Sequence, residues 1–479
     1  MKRIVQNYGF NLTYQIFLLI VPIVTTPYVS RVLGAKGVGI NSYTSSIAQY
    51  FILIGMFGFS LYGSRQIAYT RDNENKRSGV FWSIYLNQII FVTGTFIIFL
   101  VIALNSKTMR IPLLIQGISV LACCFDVSWY FFGLEQFSVT VLRNFVVKFF
   151  SIVAIFTLVR SPDDLNMYIL INVFSVLIGN LALVPFLKKS IVFVRVTISS
   201  MLDAFKSSSL LFIPQLAVSI YIILNKTILG LLKTTTEVGY FDSSDKIIRL
   251  LLTLMTSAGT VVMPFIAHEF SKGSHDLINR ITKLTIKLTA FLAIPMTIGV
   301  ILIANRFVPL FFGRGFEDVI PIMILEAPVI IFVGITSVTG NQYLLPTGQS
   351  KKYTVSLVMG AIVDIIVIFP LVSRFAAFGA AGAVLCAEMT VCLIQLYFIR
   401  KEIDFNGLIS ELLKYVLGAL LMIIPAWLIN ALIKQDLLAA FLIIVIGSIV
   451  YLIAEILFKS EIILWIVDKF VGKKGKHAR

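Results

Sequence analysis

The stretch DSSDKIIRLLLTLMTSAGTVVMP, residues 242–264, is apolar and long enough for a membrane helix, yet four charges stand inside it. Asp242, Asp245, Lys246 and Arg249 recur at i, i+3, i+4 and i+7, so they share one face of an α-helix. Thr253, Thr256, Ser257 and Thr260 continue that stripe. Lipid cannot solvate such a face, and ionisable groups at membrane depth look into a bundle or a water-filled cavity. The chain therefore reads as an all-α membrane protein that builds a polar cavity.

Working outward, composition agrees. Hydrophobic residues make up 58% of the 479 and charged residues 13%, with a mean hydropathy of +0.94. Soluble proteins carry about 25% charged residues. The net charge of +16 could point to nucleic acid, but the bases cluster in short loops on alternate sides of successive apolar runs. No cleavable signal peptide is expected, because Met1-Lys2-Arg3 leads into the first span with no small-residue cleavage site before Arg31. Cys123, Cys124, Cys386 and Cys392 all fall in apolar runs and read as small buried hydrophobes, not disulfides or metal ligands.

A spanning helix needs about 20 apolar residues. Spans are predicted near 10–32, 42–61, 80–104, 111–133, 145–160, 165–187, 209–231, 242–267, 284–304, 320–345, 354–372, 379–399, 415–433 and 437–458, fourteen in all. With the N-terminus inside, 27 of the 40 Lys and Arg fall on the cytoplasmic side and 10 on the outer side, which puts both termini in the cytoplasm. Lys226, Lys246 and Arg249 belong to neither set. The organisation expected is an N-lobe of six spans (1–187), an amphipathic cytoplasmic linker (188–208), a C-lobe of six spans (209–400), and a hairpin of two spans with a basic tail (401–479).

The two halves resemble each other. Shifted by 200 positions, VGINSYTSSIAQ (38–49) falls on VGYFDSSDKIIR (238–249), so that Ser42, Ser45, Ser46 and Gln49 lie where Asp242, Asp245, Lys246 and Arg249 lie. WYFFGLEQF (129–137) and QYLLPTGQS (342–350) likewise close the fourth and tenth spans with similar turns. Duplicated six-helix halves suit alternating access around a site between lobes.

RVLGAKGVGINSY (31–43), the GLEQ turn (133–136), VGYFDSSDKI (238–247) and VPLFFGRGF (308–316), in this order and spacing, resemble the Wzx-type polysaccharide-export flippases of the multidrug/oligosaccharidyl-lipid/polysaccharide superfamily. The resemblance covers essentially the whole chain. It implies a MATE-like fold of two six-helix lobes around a V-shaped central cavity, with a C-terminal hairpin. It also implies the substrate, an undecaprenyl-pyrophosphate-linked oligosaccharide turned from the cytoplasmic to the outer leaflet of a bacterial cell membrane for capsule, exopolysaccharide or O-antigen-type assembly. No cofactor is implied, although some relatives couple transport to H+ or Na+. A polysaccharide polymerase and chain-length or export proteins are the partners to expect. One departure matters: two acids stand beside two bases at the start of the eighth span, so a purely cationic cavity does not follow.

The candidate headgroup and pyrophosphate residues are Lys226, Arg249, Lys246, Arg31, Arg65 and Arg143. The alternative for Lys246 and Arg249 is a pair of i, i+4 ion bridges with Asp242 and Asp245 near the outer interface. Lys226 could instead snorkel to the surface, Arg31 could be an interfacial anchor, and Arg65 and Arg143 could only set topology. With Lys226, three bases face two acids, and a surplus cation suits a pyrophosphate. Gln49, Tyr43, Trp129, Asn225, Asp242 and Asp245 are the polar cavity candidates. Asp126, Glu326, Asp364 and Glu388 are intramembrane acids, and Asp364, Glu388 and Asp126 are the ones that could carry a coupling ion or else bond a neighbouring helix.

Competing functions remain open at this level. A polymerase or glycosyltransferase would need a large extramembrane loop or a carboxylate/His cluster, and every outer loop here is short. No phosphate-binding loop motif is present for direct ATP drive. A cation-coupled multidrug exporter would favour twelve spans and no surplus cation. A lipid II flippase, handling the peptidoglycan precursor, fits nearly as well.

Overall fold

The structure, a computed structural model, describes residues 2–187, 190–256 and 259–465; the side chains of 2–16, 18–19, 137, 213–215, 217–218, 220–222 and 260–261 lie outside that description. Helices account for nearly all of it, and the all-α expectation holds. Contacts divide the chain into two compact units, 1–239 and 240–479.

The first unit begins with α1 (Lys2–Met56), α2 (Phe59–Thr70), α3 (Glu74–Asn105) and α4 (Arg110–Ala122). It continues with α5 (Ser128–Gly133), α6 (Phe137–Leu158), α7 (Leu165–Leu181), the single turn α8 (Val184–Leu187) and α9 (Ile198–Leu232). The segment α1 is two helices joined across a kink, and it holds two predicted spans. Gly34 breaks it with φ 66° and ψ 174°, a conformation that costs a residue with a Cβ far more than glycine. Asn73 starts α3 by accepting from the Lys76 amide at 3.0 Å, so an orphan donor of the first turn is satisfied. The core here is aromatic: Phe59, Phe81, Trp129, Tyr130 and Phe131 are essentially unexposed. Gly63 lets α2 lie flush on the Trp129 ring, since a Cβ would sit 2.4 Å from it.

The predicted linker is an extended strap followed by the first turns of α9. Arg77 donates to the Ser190 carbonyl at 2.8 Å and Trp82 to that of Val192 at 3.1 Å, binding the strap to α3. Lys188 and Lys189 lie outside the described residues. Packing along α1, α2 and α3 groups α9 with the N-terminal unit.

The second unit takes in most of α10 (Thr235–Thr256), then α11 (Gly259–Ser271), α12 (His275–Phe312), α13 (Val319–Glu326), α14 (Val329–Thr336) and a π-helical segment, Ser337–Leu344. It ends with α15 (Ser350–Ile399), α16 (Leu408–Leu421), α17 (Ile423–Leu432) and α18 (Asp436–Leu457). Like α1, α15 joins two predicted spans, here across Ala376 at φ 49° and ψ −127°. Helix α12 is the spine of this unit, with α14, α16 and α18 packed along it. Ten elements among the described residues are long and apolar enough to cross a bilayer, and Ile20–Thr70 and Ser350–Ile399 are each about twice a span's length. The seventh and eighth predicted spans fall on the helices α9 and α10–α11; both include positions outside the described residues, and the ten do not count them.

The duplication read from sequence recurs in the backbone. A Cβ on Gly39 would lie 1.6 Å from the Thr235 carbonyl oxygen, and one on Gly239 would lie 2.0 Å from that of Ala35. The two contacts are the same contact displaced by 200 positions. The other matched pair agrees bond for bond: Leu134, Glu135 and Gln136 amides bond the carbonyls of Tyr130, Phe132 and Phe131, while Thr347, Gly348 and Gln349 bond those of Tyr343, Leu345 and Leu344. Glu135 and Gly348 hold the same left-handed place, at φ 59° and 77°. Both are Schellman-type helix ends.

Three cysteines are buried, Cys386 is exposed, and all four are unbridged. The expectation of burial fails for Cys386, which stands on the outward side of α15.

Candidate functional site

On α10 both i, i+4 pairs form. Lys246 Nζ lies 2.5 Å from Asp242 Oδ2 and Arg249 Nε 2.7 Å from Asp245 Oδ1. The pairs are lopsided: the acid side chains are 3% and 4% exposed, the bases 38% and 42%. A short carboxylate stays at the helix surface while a long base reaches past it, so each acid orients a cationic head turned toward solvent. Thr253 and Thr256 return their hydroxyls to the Arg249 and Leu252 carbonyls, so both donors are spent within the helix. Ser257 and the Thr260 side chain lie outside the described residues.

In the first unit, Tyr43 packs its ring on the bare backbone of Gly230, where a Cβ would come within 2.1 Å. Ser46 and Thr227 share a hydrogen bond of 2.9 Å, and Gln49, exposed, donates to Ser45 at 3.2 Å. Lys226 stands one turn before Gly230 on the same face of α9 and is half-buried, and Asn225 beside it is 1% exposed. Tyr43, Ser46, Lys226 and Thr227 thus form one polar seam between α1 and α9. Arg31 is exposed at the end of the predicted first span.

Two expectations need correction. Trp129 is not a cavity residue: it is 1% exposed within the aromatic core, its indole N–H donating to Gln88 Oε1 at 3.0 Å. Arg143 is committed to structure, donating to the Gly179 carbonyl at 2.8 Å and to Asn144 Oδ1, which ties α6 to the end of α7. Arg65, in contrast, is exposed, stacks over Tyr69 and borders a hollow of about 410 Å³ with Ser64, Phe132 and Glu135.

The intramembrane acids separate as well. Asp126 accepts from the Ser128 amide at 3.0 Å and shapes the turn into α5, a structural use. Asp364 is fully buried and Glu388 is 9% exposed, both inside α15. Among the described residues no group of three His, Cys, Asp or Glu is placed to hold a metal ion.

Two features escape a reading of the sequence. Ser244 donates to Glu326 Oε2 at 2.5 Å with both side chains unexposed, so the side of α10 opposite the charged stripe is anchored to α13. An apolar cavity of about 530 Å³ opens on the other side of α10, lined by Ile247, Leu251, Leu292, Met296, Gly299 and Leu452 with others of α12 and α18. The signal for the cavity was present as the helical spacing of Ile247 and Leu251, a quarter-turn or more from the charged stripe.

A fold of this kind, with an amphipathic charged helix inside a bundle of membrane-length apolar helices, defines an all-α polytopic membrane protein. Residues 4–270 match the family model described as "Polysaccharide biosynthesis protein", and the chain belongs to that family. It is a transporter of the polysaccharide-flippase kind and not an enzyme. The "Putative O-antigen transporter" of Escherichia coli (strain K12) is 24% identical over 402 residues, covering 80% of this chain and 93% of the relative. The protein of the same name in Shigella dysenteriae is 20% identical over 79% of this chain and 96% of its own length. Among solved structures, lipid II flippase MurJ in an inward closed conformation superposes with a TM-score of 0.76 at 17% identity, over 95% of this chain and 100% of that one. An inward-facing MATE multidrug transporter follows at 0.59 and 13%, covering 83% of this chain and 99% of that one. These two likenesses establish the fold.

Proposed function

We propose that the protein flips undecaprenyl-pyrophosphate-linked oligosaccharide repeat units from the cytoplasmic to the outer leaflet of the bacterial cell membrane, both termini being cytoplasmic. The observation that carries this reading is the division of α10 into two faces. One presents Lys246 and Arg249, each oriented by a buried acid; the other lines an apolar cavity of about 530 Å³. A lipid-linked sugar has the same division, an anionic headgroup on a hydrocarbon tail. The charged face meets the pyrophosphate and sugar, and the apolar cavity accepts the first isoprenoid units of the tail.

In the first unit, Lys226, with Tyr43 and Ser46 in the seam beside it, offers a cation of its own to an anionic headgroup. Three bases against two acids favour an anionic headgroup over a cationic drug. Arg65, at the hollow beside Glu135, receives the pyrophosphate first. Transport follows alternating access, the mode expected of a duplicated chain. No bond is made or broken. The protein lowers the cost of moving unpaired polar groups through hydrocarbon.

A second reading, lipid II transport, is favoured by a 26% identity over 167 residues to lipid II flippase MurJ of Bacillus subtilis, 34% of this chain. Complementation separates the two. A strain lacking its repeat-unit flippase regains surface glycan on expression of this chain, for some members of a panel of defined repeat units. Rescue confined to cells depleted of their lipid II flippase would replace the first reading with the second.

A further inference from the structure

At one end of the hairpin α16–α18, three acids and two bases gather where α12, α16 and α18 meet. Four of the five charges are accounted for. Lys414 bonds Glu411 Oε1 at 2.5 Å, and Lys287 bonds Glu461. Glu411 also accepts from the Glu461 amide at 2.9 Å, and it sits in the first turn of α16, where the helix dipole favours negative charge.

Glu455 differs in each respect. It is 0% exposed, and neither carboxyl oxygen makes a hydrogen bond of good geometry; the Ser460 hydroxyl lies against it in the same condition. It is in the last turn of α18, where the helix dipole disfavours negative charge. Gly418 leaves the room it occupies, since a Cβ there would stand 2.5 Å from Oε1. From α16 it faces Glu411, Lys414 and the buried hydroxyl of Tyr415. From α18 it faces Tyr451, whose own proton is given to the Phe291 carbonyl of α12 at 2.8 Å. Lys459, beyond the helix, is exposed. The site thus holds a surplus acid with no counter-charge of its own, in a place closed to water. A bare carboxylate is not stable there; a carboxylic acid is.

We propose that Glu455 is a proton-binding site. Its carboxyl holds a proton while the hairpin is seated on α12 and α16, and gives it to water when that seam opens. A proton fits better than a metal cation, because the remaining carboxylates are bonded to lysines and too few oxygens converge to dehydrate a hard ion. The docking of the hairpin is thereby linked to pH, whatever molecule the protein carries.

The test uses the full chain in lipid nanodiscs. Infrared difference spectra on alkalinisation are expected to show loss of a protonated-carboxyl band, absent from Glu455→Gln and displaced in Glu455→Asp. Hydrogen exchange, corrected for intrinsic rates, is expected to rise by about tenfold or more in 408–421 and 436–457 between about pH 6 and about pH 9. Glu455→Gln is expected to keep its low-pH protection throughout. A band unchanged in both variants overturns the proposal. So does an exchange profile in Glu455→Gln that follows the unaltered protein, or protection that depends on sodium and not on pH.

Discussion

Residues 38–49 and 238–249 adopt one backbone and opposite chemistries. Both begin in a Val-Gly pair, and Gly39 and Gly239 meet through contacts that repeat with a displacement of 200 residues. From there the first helix carries Ser42, Ser45, Ser46 and Gln49, with Gln49 bonded to Ser45 and Ser46 to Thr227 of α9, while the second carries two ion pairs with buried acids. Interhelical hydroxyl bonds in membranes are worth about 0.6 kcal/mol on average. Charges at that depth are retained only with partners and a use. The serine copy bonds its neighbours in the bundle, and the charged copy is the one to which the proposed function assigns the headgroup.

The largest effect is expected where the two copies touch. Gly39→Leu or Gly239→Leu forces a side chain into a carbonyl oxygen, overpacking that costs about 3 kcal/mol or more. Yields of monodisperse protein in size-exclusion chromatography are expected to collapse for both variants, and equally. A collapse for only one would break the pairing.

Next comes the chemistry. Lys226→Ala and Arg249→Ala each remove a charge-assisted contact of about 1.5–3 kcal/mol, and surface glycan is expected to fall by more than about tenfold at unchanged protein abundance. Gln49→Ala, at the position matching Arg249, is expected to change it by less than about threefold. Equal effects would erase the distinction between the copies. On the other face of α10, Leu251→Trp fills the apolar cavity, displacing tail methylenes at about 0.8 kcal/mol each. A fall of about fivefold in glycan export is expected at unchanged protein abundance.

The smallest effect lies in the second matched pair. Tyr130 donates to a backbone carbonyl, that of Ser190, at 3.0 Å, whereas Tyr343 donates to Glu402 at 2.8 Å. Burial works against ionisation of Glu402, but hydrogen bonds from Lys352, Gln349 and Tyr343 outweigh it and hold its pKa below the usual glutamate value. A carboxylate lowered in this way stabilises the fold above the ordinary glutamate range, and that contribution is lost as pH falls through the lowered value. Because Glu402 is partly exposed, the loss is under about 1 kcal/mol. Hydrogen exchange in 343–352 is expected to rise on acidification while 130–136 stays unchanged.

Much of this was readable along the chain because its determinants are local. Helical spacing placed the ion pairs of α10, and a displaced copy of VGINSYTSSIAQ pointed to the Gly39–Gly239 contact. Trp129 and Arg143 were misread for a shared reason: a polar atom on an apolar helix looks available until its partner, Gln88 or Gly179, is known to lie across a neighbouring helix. The partner of Glu326, and Glu455 altogether, stayed obscure on the same ground. Their surroundings are assembled from α10 and α13, or from α12, α16 and α18, segments that no periodicity links.

The most direct test of the two-faced α10 is thiol labelling in cells, in a background without Cys123, Cys124, Cys386 and Cys392. Lys246→Cys and Arg249→Cys are expected to react with a membrane-impermeant maleimide, and Ile247→Cys and Leu251→Cys to resist it. Equal protection of all four, or reaction at Leu251→Cys in preference to Arg249→Cys, would contradict the assignment of a headgroup to that charged face.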